Sequence, residues 1–157
     1  FVGVFRNQPL EHILAVLKRV PLDVVQLHGD ECLSMAHSIP APVFKAFHMD
    51  DTFNGYAQVS TMACHQVALL DAKVAGGSGA QGGQGVAFNW ALAEPVTRTG
   101  QPFILAGGLR SDNVAQAIQQ TRPWMVDVSS GVETDGVKDP DKVRAFIAAV
   151  KASPQRQ

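Results

Sequence analysis

One aspartate, one histidine and three glycine- or serine-rich turns are the residues whose types and spacing can do chemistry in this chain. Asp71 closes the short apolar run Val67 to Leu70. A carboxyl group at the end of a buried strand can be kept partly protonated and serve as a general acid. It can equally do no more than cap the turn that follows. Behind Asp71 lies a loop containing Gly76, Gly77, Gly79, Gly82, Gly83 and Gly85, and Phe88-Asn89-Trp90 then begins a helical segment. Gly107 and Gly108 follow the apolar run Phe103 to Ala106, and Asp127 with Ser129-Ser130-Gly131 ends the run Trp124 to Val128. Glycines let a backbone approach a ligand closely and aim N–H groups at it, and serines add hydroxyl and amide donors. Neutral donors grouped in this way suit a phosphate monoester. The plainer alternative is a tight turn at Gly107-Gly108 and a helix cap at Ser129-Ser130. His28, just past Val24 to Leu27, is either a ligand or base, or a group bonded within its own loop. Arg6 either meets a carboxylate or stays exposed, and Glu133 and Lys138 read as a solvated loop.

The elements that must position these groups are legible from hydrophobic period. Phe1 to Phe5 reads as a strand with Arg6-Asn7-Gln8 as its exit. Pro9 suits a helix start, and Leu10, Ile13, Leu14 and Leu17 repeat at helical spacing up to about Val20. A strand at 24–27 precedes a helix that Asp30 is expected to cap and that runs to Ile39. Pro42 to Phe47 is a third strand, ending near Lys45 and His48, and a short helix is expected around Ala57 to Ala63. Strands at 67–70 and 103–106 flank the glycine loop and a short helix from Asn89 to Ala93. Ser111 or Asp112 is expected to cap a helix carrying Val114, Ala117 and Ile118. A strand at 124–128 and a helix opened by Asp139-Pro140, with Val143, Phe146, Ile147 and Val150 on one face, complete the series. The tail from Ser153 to Gln157 is polar and expected to fray.

Composition narrows the class. The chain has 157 residues, enough for one domain with a real core. Thirteen Lys and Arg against fourteen Asp and Glu leave a net charge of −1. No basic run is present, which argues against a nucleic-acid surface. No apolar stretch reaches membrane-spanning length. Cys32 and Cys64 lack CxxC spacing and suggest a reducing cytosol, with both expected as small buried hydrophobes.

Six apolar strands alternating with helices imply a parallel sheet covered by helices. An open doubly wound sheet and a (β/α)8 barrel both satisfy that pattern. Glycine-rich ends on successive strands favour the barrel, whose last two loops commonly form a phosphate site. Six units in 157 residues average about 26 residues each. A barrel then needs two more units, and the chain begins at Phe1 already within a strand. The expectation is a single barrel domain over 1–157 whose two N-terminal βα units lie upstream.

The segments VGVF at 2–5, VVQLHGDE at 24–31, LLD at 69–71, GGQGVAFNW at 82–90, LAGGL at 105–109, DNV at 112–114, VDVSSGVE at 126–133 and KD at 138–139 occur together in one order. That series resembles the phosphoribosylanthranilate isomerase family of tryptophan biosynthesis, over strands three to eight of its barrel. The resemblance implies an aldose–ketose isomerase that rearranges N-(5′-phosphoribosyl)anthranilate to the ketose amine without a cofactor. It implies that Asp71 is the general acid that protonates the ribose ring oxygen. It further implies that Gly107, Gly108, Ser129, Ser130 and Gly131 hold the phosphate, with Asp127 near the sugar; the cluster that closes over the ligand is either GGQG at 82–85, with Gly83 and Gly85, or GGSG at 76–79, and His28 remains a candidate from its strand-end position alone. The partner is a small phosphoribosyl substrate, in a cytoplasmic protein that stands alone, pairs as a homodimer or is fused to another tryptophan-pathway domain.

The departures are as informative. The family's general base is a cysteine ending the first strand, and its anthranilate-binding arginine follows the second; neither motif is present. Cys32, on a helix after the HGD turn, and Cys64, before strand six, are not substitutes. Asn89 stands where Asp is usual, and GGSG at 76–79 lengthens the glycine loop. The chain alone is therefore expected to be inactive. A phosphate-binding module without catalysis and another sugar-phosphate barrel, such as indole-glycerol-phosphate synthase, are the rival readings.

Overall fold

In the computed structural model, which describes residues 1–49, 53, 55–72 and 90–153, the six apolar runs become six strands of one sheet. They are β1 (Val2–Phe5), β2 (Val24–Leu27), β3 (Val43–Met49), β4 (Gln66–Ala72), β5 (Phe103–Ala106) and β6 (Met125–Val126). All five pairings are parallel and the spatial order is the chain order, β1 to β6. Strands that pair in sequence by one repeated crossover curl into a barrel wall. A doubly wound sheet would reverse its order at a switch point. The architecture is a partial (β/α) barrel, and the doubly wound alternative is set aside. Among the described residues β1 and β6 are the sheet edges.

The inner strands β2 to β5 are buried, as continuous apolar runs require, whereas the edge strands β1 and β6 leave residues exposed. Toward the helices, Phe5, Val25, Leu27 and Val43 meet Ile13, Ala36 and Ile39. Farther along the sheet, Leu70, Phe103 and Leu105 meet Val96, Val114, Ala117, Ile118 and Phe146. Inside the curl, Ala46, Leu69, Ile104 and Ala106 form a smaller cluster flanked by Phe44 and Val67. Truncating a fully enclosed side chain such as Leu105 to Ala removes about 2–5 kcal/mol of stability.

The helices are α1 (Leu10–Arg19), α2 (Leu33–His37), α3 (Gly55–Val59), α4 (Glu94–Thr97), α5 (Val114–Thr121) and α6 (Pro140–Ala152). α1 buries Ile13, with Leu10 and Leu17 packed partly against the same cluster, as the spacing predicts. α6 starts as expected: the Asp139 carboxylate accepts from the amides of Asp141 and Lys142, with Pro140 in the first turn. No helix among the described residues is long and apolar enough to cross a membrane.

Several boundaries differ from expectation, each for a local reason. α2 begins at Leu33 and ends at His37, and Asp30 does not cap it. Asp30 is instead drawn to Asn7, whose amide nitrogen donates to the Asp30 carboxylate. Neither Ser111 nor Asp112 caps α5; Asn113 precedes it, and its side-chain oxygen accepts from the Arg110 amide. β3 extends to Met49, two residues beyond the expected end, whereas β6 keeps two residues, paired with Ile104 and Leu105 of β5. The segment from 90 opens as a 3-10 turn, Trp90–Ala93, before α4, and Asn89 lies outside the described residues. Glu133 and Lys138 do not form a plain loop: β7 (Glu133–Thr134) and β8 (Val137–Lys138) make an antiparallel hairpin. Ser153 is buried, its hydroxyl donating to the Ala149 carbonyl, so the polar tail is tied down at that residue. Both cysteines are exposed, not buried. Cys32 sits on the loop side of α2, where a hydrogen bond with the Ser34 hydroxyl lowers its thiol pKa.

Candidate active site

The carboxyl ends of all six parallel strands lie on one rim, so residues far apart in sequence converge there. Asp71, near the end of β4, is paired in register with His48 of β3 and with Ala106 of β5, the residue before Gly107. Period-two alternation turns Leu69 and Asp71 to the inner face with Ala46, His48 and Ala106. From the end of β2, His28 reaches the same carboxylate, with its Nε2 3.1 Å from Asp71 Oδ2. His48 Nδ1 lies 3.6 Å from that oxygen. The three side chains are about a quarter exposed, at 28% for both histidines and 24% for the aspartate.

Hydrogen-bond capacity assigns the His28 proton. Gln26 Nε2 lies 2.7 Å from His28 Nδ1, and an amide nitrogen only donates. With the amide so oriented, Nδ1 accepts from Gln26 and Nε2 is the nitrogen that faces Asp71. Asp71 Oδ2 is thus held by the His28 ring.

The loops after β5 and β6 meet beside this group. Gly107 and Gly108 both have left-handed backbones, with φ of 82° and 62°, a conformation glycine adopts without steric penalty. The Gly108 carbonyl accepts from Asn113 Nδ2 at 3.0 Å. A side chain at Gly131 would collide with the carbonyl of Leu109. Only glycine lets the two loops touch there. Ser130 opens a 3-10 turn, Ser130–Val132, and Ser129 is bonded by Lys138, whose Nζ donates to its carbonyl at 2.9 Å and its hydroxyl at 3.1 Å. Lys138 also pairs with Glu133 at 2.5 Å. Asp127 is exposed, and its amide donates to the Leu105 carbonyl at 2.9 Å. Gly83 and Gly85, with the whole loop at 73–89, lie outside the described residues.

Of the sequence candidates, Asp71 and His28 are brought into direct contact. Gly107, Gly108 and Gly131 are brought together through Leu109. Arg6 is exposed. His48 and Gln26 are additions that the sequence reading did not assign. The available signal was parity: both lie an even number of residues from inner-facing neighbours, but the strand bearing His48 was expected to stop at Phe47.

A second polar group lies behind the rim. Lys45 and Glu31 form an ion pair at 3.1 Å, with side chains 5% and 1% exposed. Burial pushes the Glu31 carboxyl pKa up, but the amides of Asn7 and Gly29 together with Lys45 more than reverse it and leave it below its ordinary value. A cleft of about 330 Å³ opens beside the pair, lined by Gly29, Glu31, Lys45, His48, Phe53 and Gln58. Among the described residues it meets the rim group at His48.

A chain-ordered parallel sheet with its polar groups gathered on the carboxyl rim places this protein among the βα-barrel proteins that build their sites from strand-end loops. Comparison with known proteins narrows the class. The chain belongs to the N-(5'phosphoribosyl)anthranilate (PRA) isomerase family, whose model matches residues 1–149. It is similar to the multifunctional tryptophan biosynthesis protein of Phycomyces blakesleeanus, 45% identical over 96% of this chain and 21% of that protein. It is similar to the N-(5'-phosphoribosyl)anthranilate isomerase of Oceanobacillus iheyensis, 44% identical over 96% of this chain and 71% of that one. The solved phosphoribosyl anthranilate isomerase of Thermotoga maritima superposes with a TM-score of 0.79 at 37% identity, covering 96% of this chain and 72% of that one. The chain thus spans about a fifth of the multifunctional relative and about seven tenths of the single-function ones.

Proposed function

We propose that this chain is the part of a phosphoribosylanthranilate isomerase that carries strands three to eight of the barrel, within one barrel domain completed by two upstream βα units. The reaction is the rearrangement of N-(5′-phosphoribosyl)anthranilate to the ketose amine. The observation that carries the reading is the position of Asp71, which sits on the carboxyl rim, accepts from His28, and is in register with the residue before Gly107.

In this mechanism Asp71 is the acid. Its proton goes to the ribose ring oxygen, the C1′–O bond breaks, and the nitrogen lone pair forms the iminium. A base then removes the C2′ proton, and the resulting enolamine tautomerises to the ketose. The base is not among the residues assigned here. Gly107, Gly108, Ser129, Ser130 and Gly131 form the phosphate grip, with Asp127 beside the sugar and the loop bearing Gly83 and Gly85 over it. In line with the printed names of the relatives, the setting is tryptophan biosynthesis, and the compartment we propose is the cytoplasm. The domain is either paired as a homodimer or fused to another domain of that pathway.

The test is turnover of phosphoribosylanthranilate by the intact protein and by residues 1–157 alone. Turnover by the first and none by the second is the expected pair of results. An intact, folded protein that binds neither substrate nor product analogue would overturn the reading.

A further inference from the structure

The loop that carries His28 is restrained by groups that the acid step itself does not use. Asn7 adopts a left-handed backbone, φ 56°, which is uncommon outside glycine and is retained where surrounding contacts repay the strain. Those contacts all run to the loop after β2. Asn7 Oδ1 accepts from the Asp30 amide at 2.7 Å, and its own amide donates to Glu31 Oε1 at 2.6 Å. A side chain at Gly29 would strike Asn7, so the two loops interlock with no space between them. The other Glu31 oxygen accepts from the Gly29 amide at 2.9 Å and from Lys45 Nζ at 3.1 Å. Lys45 Nζ also donates to the Gly29 carbonyl at 2.6 Å. Both polar groups of the residue after His28 are therefore fixed.

From this geometry we propose that Asn7, Glu31 and Lys45 form a clamp that sets His28 against Asp71, and that they act as positioning residues for the acid step. The inference rests on the reading of Asp71 as the acid. The clamp fixes the His28 main chain while Gln26 fixes its ring, and the histidine amide is anchored to the Phe5 carbonyl at 2.8 Å. The ends of β1, β2 and β3 are joined through it. A buried ion pair adds little net stability over an apolar pair of the same size. What it adds here is directionality: a carboxylate and an ammonium distribute donors and acceptors at fixed angles, which two leucines cannot. Displacing a reacting group by about 1 Å can lower a rate by as much as a hundredfold, so a loosened His28 loop is felt at Asp71.

The experiment uses the intact protein with Asn7→Gly and, separately, Glu31→Gln. Asn7→Gly keeps the left-handed backbone accessible and removes only the side-chain bonds, so folding is preserved, and Glu31→Gln is nearly isosteric. The measurements are kcat, KM and the imidazole ¹⁵N signals of His28. The clamp predicts about a tenfold fall in kcat with KM within about twofold, because the phosphate grip is separate. It also predicts that the His28 signals move from the pattern of a fixed Nε2–H tautomer toward an averaged one. Unchanged kcat and unchanged His28 signals in Asn7→Gly would overturn it, as would a rise in KM alone. If Glu31→Gln fails to fold, Asn7→Gly decides. If the unsubstituted protein does not turn over the substrate, the functional reading fails, and the His28 signals alone decide whether the clamp exists.

Discussion

His28 and Asp71 are 43 residues apart in the chain and 3.1 Å apart at the rim, with the histidine as donor. The contact exists because β2, β3 and β4 are neighbours in one parallel sheet, so their carboxyl ends open onto one rim. It joins the proposed acid to an imidazole whose other nitrogen is engaged by Gln26.

Asp71→Asn removes the transferable proton and keeps the shape. In the intact protein kcat is expected to fall by about 10²–10⁴-fold, while a product analogue binds within about tenfold of the parent by titration calorimetry. Normal turnover would remove Asp71 from the mechanism.

Gly108→Asp introduces two faults at once. The backbone is left-handed there, with φ 62°, which penalises a Cβ, and the new carboxylate faces the proposed anion. Phosphate and product-analogue binding should be lost, with the fold intact by circular dichroism. Undiminished binding would place the phosphate elsewhere.

Lys138 is the cation that ties Ser129 to the hairpin of β7 and β8. It is exposed, and an exposed pair of this kind is worth about 1 kcal/mol or less. Lys138→Met is therefore expected to raise KM by no more than about fivefold and leave kcat alone. Steady-state kinetics that show the loss in kcat instead would assign Lys138 a different role.

The Glu31 carboxyl is below its ordinary pKa in the folded protein. The sign follows from linkage: the unfolded chain binds this proton more readily, so the stabilisation is complete above the ordinary glutamate value. It is lost as the pH falls through the lower folded-state value. Melting temperatures of the parent should decline along that acid limb, and Glu31→Gln, less stable at neutral pH, should decline less steeply. Parallel curves for the two proteins would show that Glu31 is not linked to acid unfolding.

The edge strand β1 exposes Val2 and Val4, and Trp124 and Met125 are exposed at β6. An uncovered apolar edge pairs with other chains. Residues 1–157 alone should associate with rising concentration in light scattering, and Val4→Lys should reduce that association. A monomer at all concentrations would show that the edges are protected.

Hydrophobic period alone determined that six strands alternate with helices. A run such as FILA at 103–106 is too short for a helix and too apolar for a half-exposed strand. Asp139-Pro140 opened its helix as read, because capping is a bond to amides two and three residues away. Asp71 was legible as a candidate for the same reason, being a charge at the end of an apolar run. The caps assigned to Asp30 and Asp112 failed where a more distant partner competed: Asn7 drew Asp30 away, and Asn113 bridged to Arg110 and Gly108. Those choices depend on which loops lie side by side. The cysteines were misjudged because burial is a property of the packed chain and not of the residue type. Only the tertiary structure decided that His28 and His48 flank Asp71, that Glu31 and Lys45 are buried together, and that Gly131 rests against Leu109. Period and propensity act over a few residues, whereas these contacts are fixed by parallel register, which brings distant strand ends to one rim.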